Sequence, residues 1–108
     1  MEVLAVEQLP SGDRPLNLRQ MLEHLRQAYQ ATNVLVEGGA ATHGRFLDQQ
    51  FIDEIVTFIA PRVLAGAGHL PPVAAGRTTD RIADALPLRL IEHRRIDQDV
   101  MIRYRIDR

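Results

Sequence analysis

The residues best suited to chemistry lie at one junction, where an apolar segment (residues 34–36) runs into Glu37-Gly38-Gly39 and then into a predicted helix. Adjacent glycines let backbone N–H groups approach a ligand closely, and a helix start adds unpaired donors and a partial positive charge. This combination favours a phosphate ligand. The same pattern also occurs as ordinary turn chemistry, so the spacing alone leaves both interpretations open.

Three charged or titratable side chains flank these glycines. Glu37 would lie at the carboxyl end of a strand, where open α/β sheets bind ligands, or it is a solvated carboxylate. His43, one turn into the helix, could reach a phosphate or lie on the surface. Arg45 could pair with a phosphate through its planar guanidinium or remain solvated.

Other residues with reactive side chains do not form a predicted centre. Asp53 and Glu54 are adjacent in a predicted strand and would point to opposite faces, so structural roles are expected of them. The remaining histidines lack the spacing of metal ligands, and no metal site is expected; they are His24, His69 and His93.

Composition restricts the classes of function. The 108 residues suit one small domain over residues 1–108, and the net charge of −1 argues against nucleic-acid or membrane partners recruited by bulk charge. All 13 basic residues are arginine, which excludes lysine chemistry, and the lack of cysteine excludes thiolate chemistry. No segment reads as a signal peptide or a membrane span, so a cytoplasmic location is expected.

The elements that position the junction follow from hydrophobic periodicity. A short strand is predicted at residues 3–6, followed by a helix that Asn17 caps. Its apolar face holds five residues at helical spacing: Leu18, Met21, Leu22, Leu25 and Tyr29. Residues 34–36 are predicted to be a strand buried on both faces, and the second helix runs from the glycines to about Gln49.

The second half of the chain completes the predicted sheet. Residues 52–60 form a third strand, which Pro61 ends. Strands alternating with helices predict a parallel β-α-β-α-β unit with right-handed crossovers. A long loop over residues 62–84 follows, with a short helical turn within residues 79–85, and then an antiparallel hairpin turning near Asp97, Gln98 and Asp99.

Four blocks of this sequence resemble the C-terminal reductase domain of bacterial bifunctional riboflavin-biosynthesis deaminase-reductases. They are residues 34–40, His43-Gly44 with Phe46-Leu47, Ile52-Asp53-Glu54, and Ile59-Ala60-Pro61. The last predicted strand, residues 99–104, also fits the family. The resemblance implies a dihydrofolate-reductase-like α/β fold and NADPH-dependent reduction of 5-amino-6-(5-phosphoribosylamino)uracil to the ribitylamino form.

The resemblance also implies roles for individual residues. Glu37 would contact the phosphoribosyl-pyrimidine substrate. The NADP site would be lined by Gly38 and by the run Gly39, Ala40, Ala41, Thr42, His43, Gly44 and Arg45. The family implies no general acid that can be named here.

The chain resembles only the second half of the family's domain, which leaves two hypotheses. It is either a reductase half, complete with a second copy or with a chain that supplies the missing N-terminal half, or a non-catalytic remnant or oligomerisation module. A truncated sheet leaves an open edge and an uncovered apolar face, so a homo-oligomer, a dimer or larger, is expected in both cases.

Overall fold

A helical unit and a β unit make up the part of the chain that the structure describes. The computed structural model describes residues 17–66, 74 and 79–108. The helical unit comprises residues 17–50 with residue 74, and the β unit comprises residues 51–66 and 79–108. The predicted strand at residues 3–6 lies outside the described residues.

Helix α1 (Leu18–Tyr29) begins where the sequence predicts. The Asn17 side-chain Oδ1 accepts a hydrogen bond from the Gln20 amide at 3.1 Å, which satisfies one of the free donors of the first turn. On the predicted apolar face, Leu18 is buried, whereas Tyr29 is 57% exposed. Tyr29 ends the helix, and its ring instead packs edge-on against His24.

Helix α2 (Ala40–Asp48) follows the two glycines, as predicted, and buries Gly44 and Phe46. The strand predicted just before it is absent, since residues 33–37 have no regular secondary structure. The predicted burial of this segment is also wrong, because Val34 is 44% exposed and Leu35 81% exposed. An apolar segment becomes a strand only when a neighbour pairs with its backbone groups.

The β unit is a three-stranded sheet among the described residues: β1 (Glu54–Ile59), β2 (Leu88–Ile96) and β3 (Asp99–Ile106), in the order β1-β3-β2. The third predicted strand and the C-terminal hairpin are therefore confirmed. Both pairings are antiparallel, so the predicted parallel β-α-β-α-β unit is not confirmed. The described strand beside β1 is β3, the returning arm of the hairpin, and its register with β1 is antiparallel.

The register divides the sheet into two faces. One face, here termed the apolar face, carries side chains that alternate along all three strands: Ile55, Ile59, Leu88, Leu90, Val100, Ile102, Tyr104 and Ile106, together with Thr57, His93 and Arg95. The opposite face, here termed the arginine face, carries Glu54, Val56, Phe58, Arg89, Glu92, Arg94, Met101, Arg103 and Arg105. The register shifts by one residue between Leu90 and Glu92, which explains why the apolar alternation of β2 stops there.

The connection between β1 and β2 contains the predicted short helical turn, a 3-10 turn at Ile82–Asp84. Arg81 pairs with Asp84 at 2.9 Å across this turn. Within the described ranges, no helix has the length and hydropathy needed to cross a bilayer.

Candidate functional site

The diglycine turn before α2 has two glycines with different conformations. Gly38 has φ +153°, a region that L side chains rarely adopt. Gly39 is the N-cap of α2 with extended angles, φ −85° and ψ 178°. The Gly39 carbonyl accepts hydrogen bonds from the amides of Thr42 (3.1 Å) and His43 (3.2 Å). These bonds start the helix directly at the turn.

The space around each glycine also differs. A Cβ added at Gly38 would lie 3.3 Å from the Thr42 hydroxyl oxygen and 3.4 Å from the Thr42 Cβ. A Cβ added at Gly39 would meet no described atom within 4 Å. The position beside Gly39 is therefore open, and a ligand can approach the backbone there.

The N-terminus of α2 is electrostatically suited to an anion. Helix geometry leaves the amides of Ala40 and Ala41 without acceptors inside the helix. Gly39 has no side chain that could cap them, and the first turn holds no acidic residue. The open space, the free donors and the helix dipole together fit a phosphate or diphosphate group.

The predicted site residues are contiguous in the sequence, residues 37–45, and their side chains differ in exposure to solvent. Glu37, Ala41 and Arg45 are exposed, while Ala40, Thr42 and His43 are half-buried. Arg45 lies four residues after Ala41 and therefore shares a face of α2 with it. Gly44 is buried.

A second charged cluster lies on the arginine face, and sequence reasoning missed its partners. Glu54 Oε1 accepts a hydrogen bond from Arg105 Nη2 at 2.7 Å, and Glu54 Oε2 lies 3.6 Å from Arg103 Nη1. Arg103 Nη2 lies 3.3 Å from Glu92 Oε2, which links all three strands. The hydrogen bond from Arg105, helped by the charges of Arg103 and Arg105, holds the pKa of the Glu54 carboxyl below its ordinary value.

Asp53 and Glu54 therefore have the structural roles expected of them. Asp53 Oδ1 lies 3.3 Å from Arg108 Nη1, whereas Glu54 pairs with Arg105. The alternation of arginines with apolar residues in β3 was the sequence signal for this cluster, but the pairing register was needed to identify Glu54 as the partner. Among residues 17–66, 74 and 79–108, no group of three or more His, Cys, Asp or Glu could hold a metal ion.

Comparisons with known protein families and with solved structures both relate this chain to RibD. A family model for the RibD C-terminal domain matches residues 2–102. Among solved structures, Acinetobacter baumannii RibD, form 2, is 29% identical with a TM-score of 0.71 over 83% of this chain. Form 1 of the same protein is 28% identical with a TM-score of 0.72 over 84% of this chain. The matched region is 25% of each RibD chain, so the present chain corresponds to about a quarter of those proteins.

Proposed function

The chain belongs to the RibD C-terminal domain family, and from this premise we propose that it binds NADPH and forms part of a reductase of riboflavin biosynthesis. The proposed reaction is reduction of 5-amino-6-(5-phosphoribosylamino)uracil to its ribitylamino form. The observation that carries the proposal is the open, uncapped diglycine turn at the N-terminus of α2.

The diglycine turn fits the diphosphate of NADPH in both shape and charge. Open space beside Gly39 accommodates the phosphate oxygens, and the amides of Gly39, Ala40 and Ala41 supply donors. The exposed guanidinium of Arg45 adds a positive charge on the same side of the helix. Thr42, His43 and Gly44 complete the segment proposed to line the cofactor.

Glu37 is proposed to bind substrate rather than cofactor. Its carboxylate is exposed one residue before the glycine turn. A carboxylate repels a diphosphate but accepts hydrogen bonds from sugar hydroxyls, and the resemblance to the reductase family assigns this position to the ribose of the substrate.

The proposed reduction needs no nucleophilic side chain from this chain. NADPH supplies the hydride when bound, and the protein binds the two reactants and orients them. The residues named above account for binding at the cofactor diphosphate and at the substrate sugar. No general acid is assigned.

The proposal includes a protein partner. The chain corresponds to a quarter of the RibD chains, and Val34 and Leu35 are exposed beside the site. Exposed apolar side chains next to a binding site are typical of an interface. We propose that a second copy, or a polypeptide equivalent to the rest of the RibD reductase domain, completes the site.

The alternative function is a non-catalytic oligomerisation module. The observation that favours it is the extent of exposed apolar surface, which includes four residues of the apolar face: Ile59, Leu88, Leu90 and Val100. Such a module would self-associate without binding nucleotide.

Calorimetric titration of the purified full chain with NADPH separates the two functions. The reductase proposal predicts saturable binding with a stoichiometry of one per chain or one per dimer. Absence of binding at millimolar NADPH, with an oligomer retained, would favour the oligomerisation module.

A further inference from the structure

Among the described residues, β1 is an edge strand of the sheet and pairs with β3 on one side only. The Ile106 amide donates to the Asp53 carbonyl at 2.9 Å, in register with the pairing of the two strands. In an antiparallel pair, residues whose backbone groups face the partner strand alternate with residues whose groups face away. The N–H and C=O groups of Glu54, Val56 and Phe58 therefore point toward the open edge.

The side chains of β1 do not suit an exposed edge. Proteins commonly protect such strands from further pairing with charged side chains, proline or irregular register. After its first residue, Glu54, β1 carries no charged side chain. Ile55 and Ile59 lie on the apolar face, and Val56 and Phe58 lie on the arginine face, where Phe58 is 62% exposed. Apolar side chains on both faces are typical of a strand inside a sheet that is covered on both sides.

The opposite edge strand, β2, has the protection that β1 lacks. Its register shifts between Leu90 and Glu92. Its nine residues include four charged side chains and one histidine: Arg89, Glu92, His93, Arg94 and Arg95. Both features oppose the addition of a further strand. The two edges therefore differ, and the sequence favours a sheet that ends at β2 and continues beyond β1.

Two observations favour a strand from outside this chain over a second copy of it. The chain corresponds to 25% of each RibD chain that it matches, so most of those proteins has no counterpart here. Residues 34–36 are a further apolar segment without regular secondary structure, with Leu35 81% exposed. A second copy supplies only the same segments again, whereas the rest of the domain supplies different ones.

We propose that the open edge of β1 receives an extended segment of a polypeptide equivalent to the rest of the RibD reductase domain. The backbone groups of Glu54, Val56 and Phe58 hydrogen-bond to this segment, as in other cases of strand addition. The exposed side chains of Val56 and Phe58 contact its side chains across the new strand pair. The choice of partner rests on the proposed function, whereas the open edge does not.

Proline substitutions in β1 test the direction of its backbone groups. Proline removes a backbone N–H and is tolerated in a strand where that N–H faces an open edge. Val56→Pro should therefore fold, whereas Thr57→Pro removes an amide that faces β3 and should unfold the sheet. Val56→Ala keeps the amide and controls for loss of the valine side chain. Thermal unfolding followed by circular dichroism checks all three, and equal loss of structure in the two proline variants would overturn the inference.

Hydrogen exchange of the wild-type full chain tests whether the edge is open. The amides of Val56 and Phe58 should exchange rapidly, and those of Ile55 and Thr57 slowly, because only the latter two face β3. Slow exchange at Val56 and Phe58 that accelerates on dilution would show that a second copy occupies the edge. Slow exchange there at every concentration would show that a segment of the same chain does. Either result would overturn the inference.

The partner is tested with Acinetobacter baumannii RibD from which the matched quarter has been deleted, co-expressed with the full chain so that the two polypeptides fold together. Affinity purification should recover it with the wild type and with Val56→Ala. Recovery with Val56→Pro should be about tenfold lower, because a main-chain hydrogen bond to the added strand is lost.

Equal recovery with Val56→Pro and Val56→Ala, or no recovery with the wild type, would overturn the inference. The calorimetric NADPH titration decides the proposed nucleotide binding independently, since it measures the full chain without the co-expressed polypeptide.

Discussion

Gly38 and Gly39 are adjacent and chemically identical, yet the structure gives them different roles. Gly38 adopts a positive φ, and a Cβ added there would lie close to the Thr42 side chain, whereas Gly39 has ordinary extended angles and an added Cβ would meet no described atom within 4 Å. Gly38 therefore allows the positive φ that the turn requires, and Gly39 leaves the backbone accessible to a ligand. The residue types predicted the turn, but only the conformation of each glycine separates these roles.

Gly38→Ala should weaken NADPH binding by more than tenfold, because a Cβ at this φ is strained by roughly 1–3 kcal/mol and would lie 3.3 Å from the Thr42 hydroxyl oxygen, a tight contact. The matched control is Gly66→Ala, since Gly66 has φ +154° with nothing within 4 Å of an added Cβ. This control should lower the melting temperature through the same strain but keep the affinity. Equal affinities in the two variants, measured by calorimetry, would argue against a binding role for the turn.

Glu37→Gln should separate substrate binding from cofactor binding. Loss of the charge weakens hydrogen bonds from the substrate ribose, and we expect a roughly tenfold loss of substrate affinity. NADPH affinity should stay the same or rise, because the amide no longer repels the diphosphate. Steady-state KM values for both reactants, or separate titrations, check this; a selective loss of NADPH affinity would contradict the assignment.

At the scale of elements, local signals predicted the helices well. Asn17 and the apolar spacing placed α1, and the glycines placed the start of α2. Residues 34–36 show the limit of such signals. An apolar run indicates that a segment prefers burial, but it does not identify the strand that would pair with its backbone. The Glu54 cluster was equally hidden, because its partners lie some fifty residues away along the chain (51 for Arg105).

Asn17→Ala should destabilise the protein by about 1 kcal/mol, the usual cost of losing a side-chain cap. Asn17→Asp retains an acceptor for the Gln20 amide and should keep near wild-type stability. Urea denaturation followed by circular dichroism checks both variants. Equal destabilisation of the two would show that the cap contributes little.

Glu54 should make the stability of the fold depend on pH in the acid range. Its folded-state pKa is lowered, chiefly by the Arg105 hydrogen bond, so its contribution is present above the ordinary glutamate pKa. That contribution is lost as the pH falls through the folded-state pKa. Glu54→Gln should flatten the dependence of unfolding free energy on pH in this window, measured by denaturation at a series of pH values; an unchanged slope would contradict the assignment.

At the scale of the whole molecule, the described residues bury few apolar side chains. The buried ones are Leu18 and Phe46 in the helical unit and Met101 in the β unit, while Ile59, Leu88, Leu90 and Val100 on the apolar face of the sheet are exposed. The family resemblance predicted from sequence is confirmed by the comparisons. The partner that would cover these surfaces could not be predicted, since the pattern of one chain identifies apolar residues but not what they contact.

The apolar face should mediate self-association with a second copy. It carries no acidic residue, and its one arginine, Arg95, lies at the end of β2, so a two-fold axis can bring two faces together without burying paired like charges. Leu90→Glu, at a position 54% exposed on this face, should shift the mass in light scattering toward the monomer. Phe58→Glu, at a position 62% exposed on the arginine face, should not. A wild-type monomer at micromolar concentration would contradict the prediction.

The central claim is that the backbone amides at the start of α2 bind the diphosphate of NADPH. The most direct measurement is a ¹H–¹⁵N correlation titration of the full chain with NADP⁺, which reports on each amide separately. The account predicts saturable shifts concentrated at residues 38–42, and inorganic pyrophosphate should reproduce part of them. No shifts at millimolar nucleotide, or shifts confined to the β2–β3 hairpin, would contradict it.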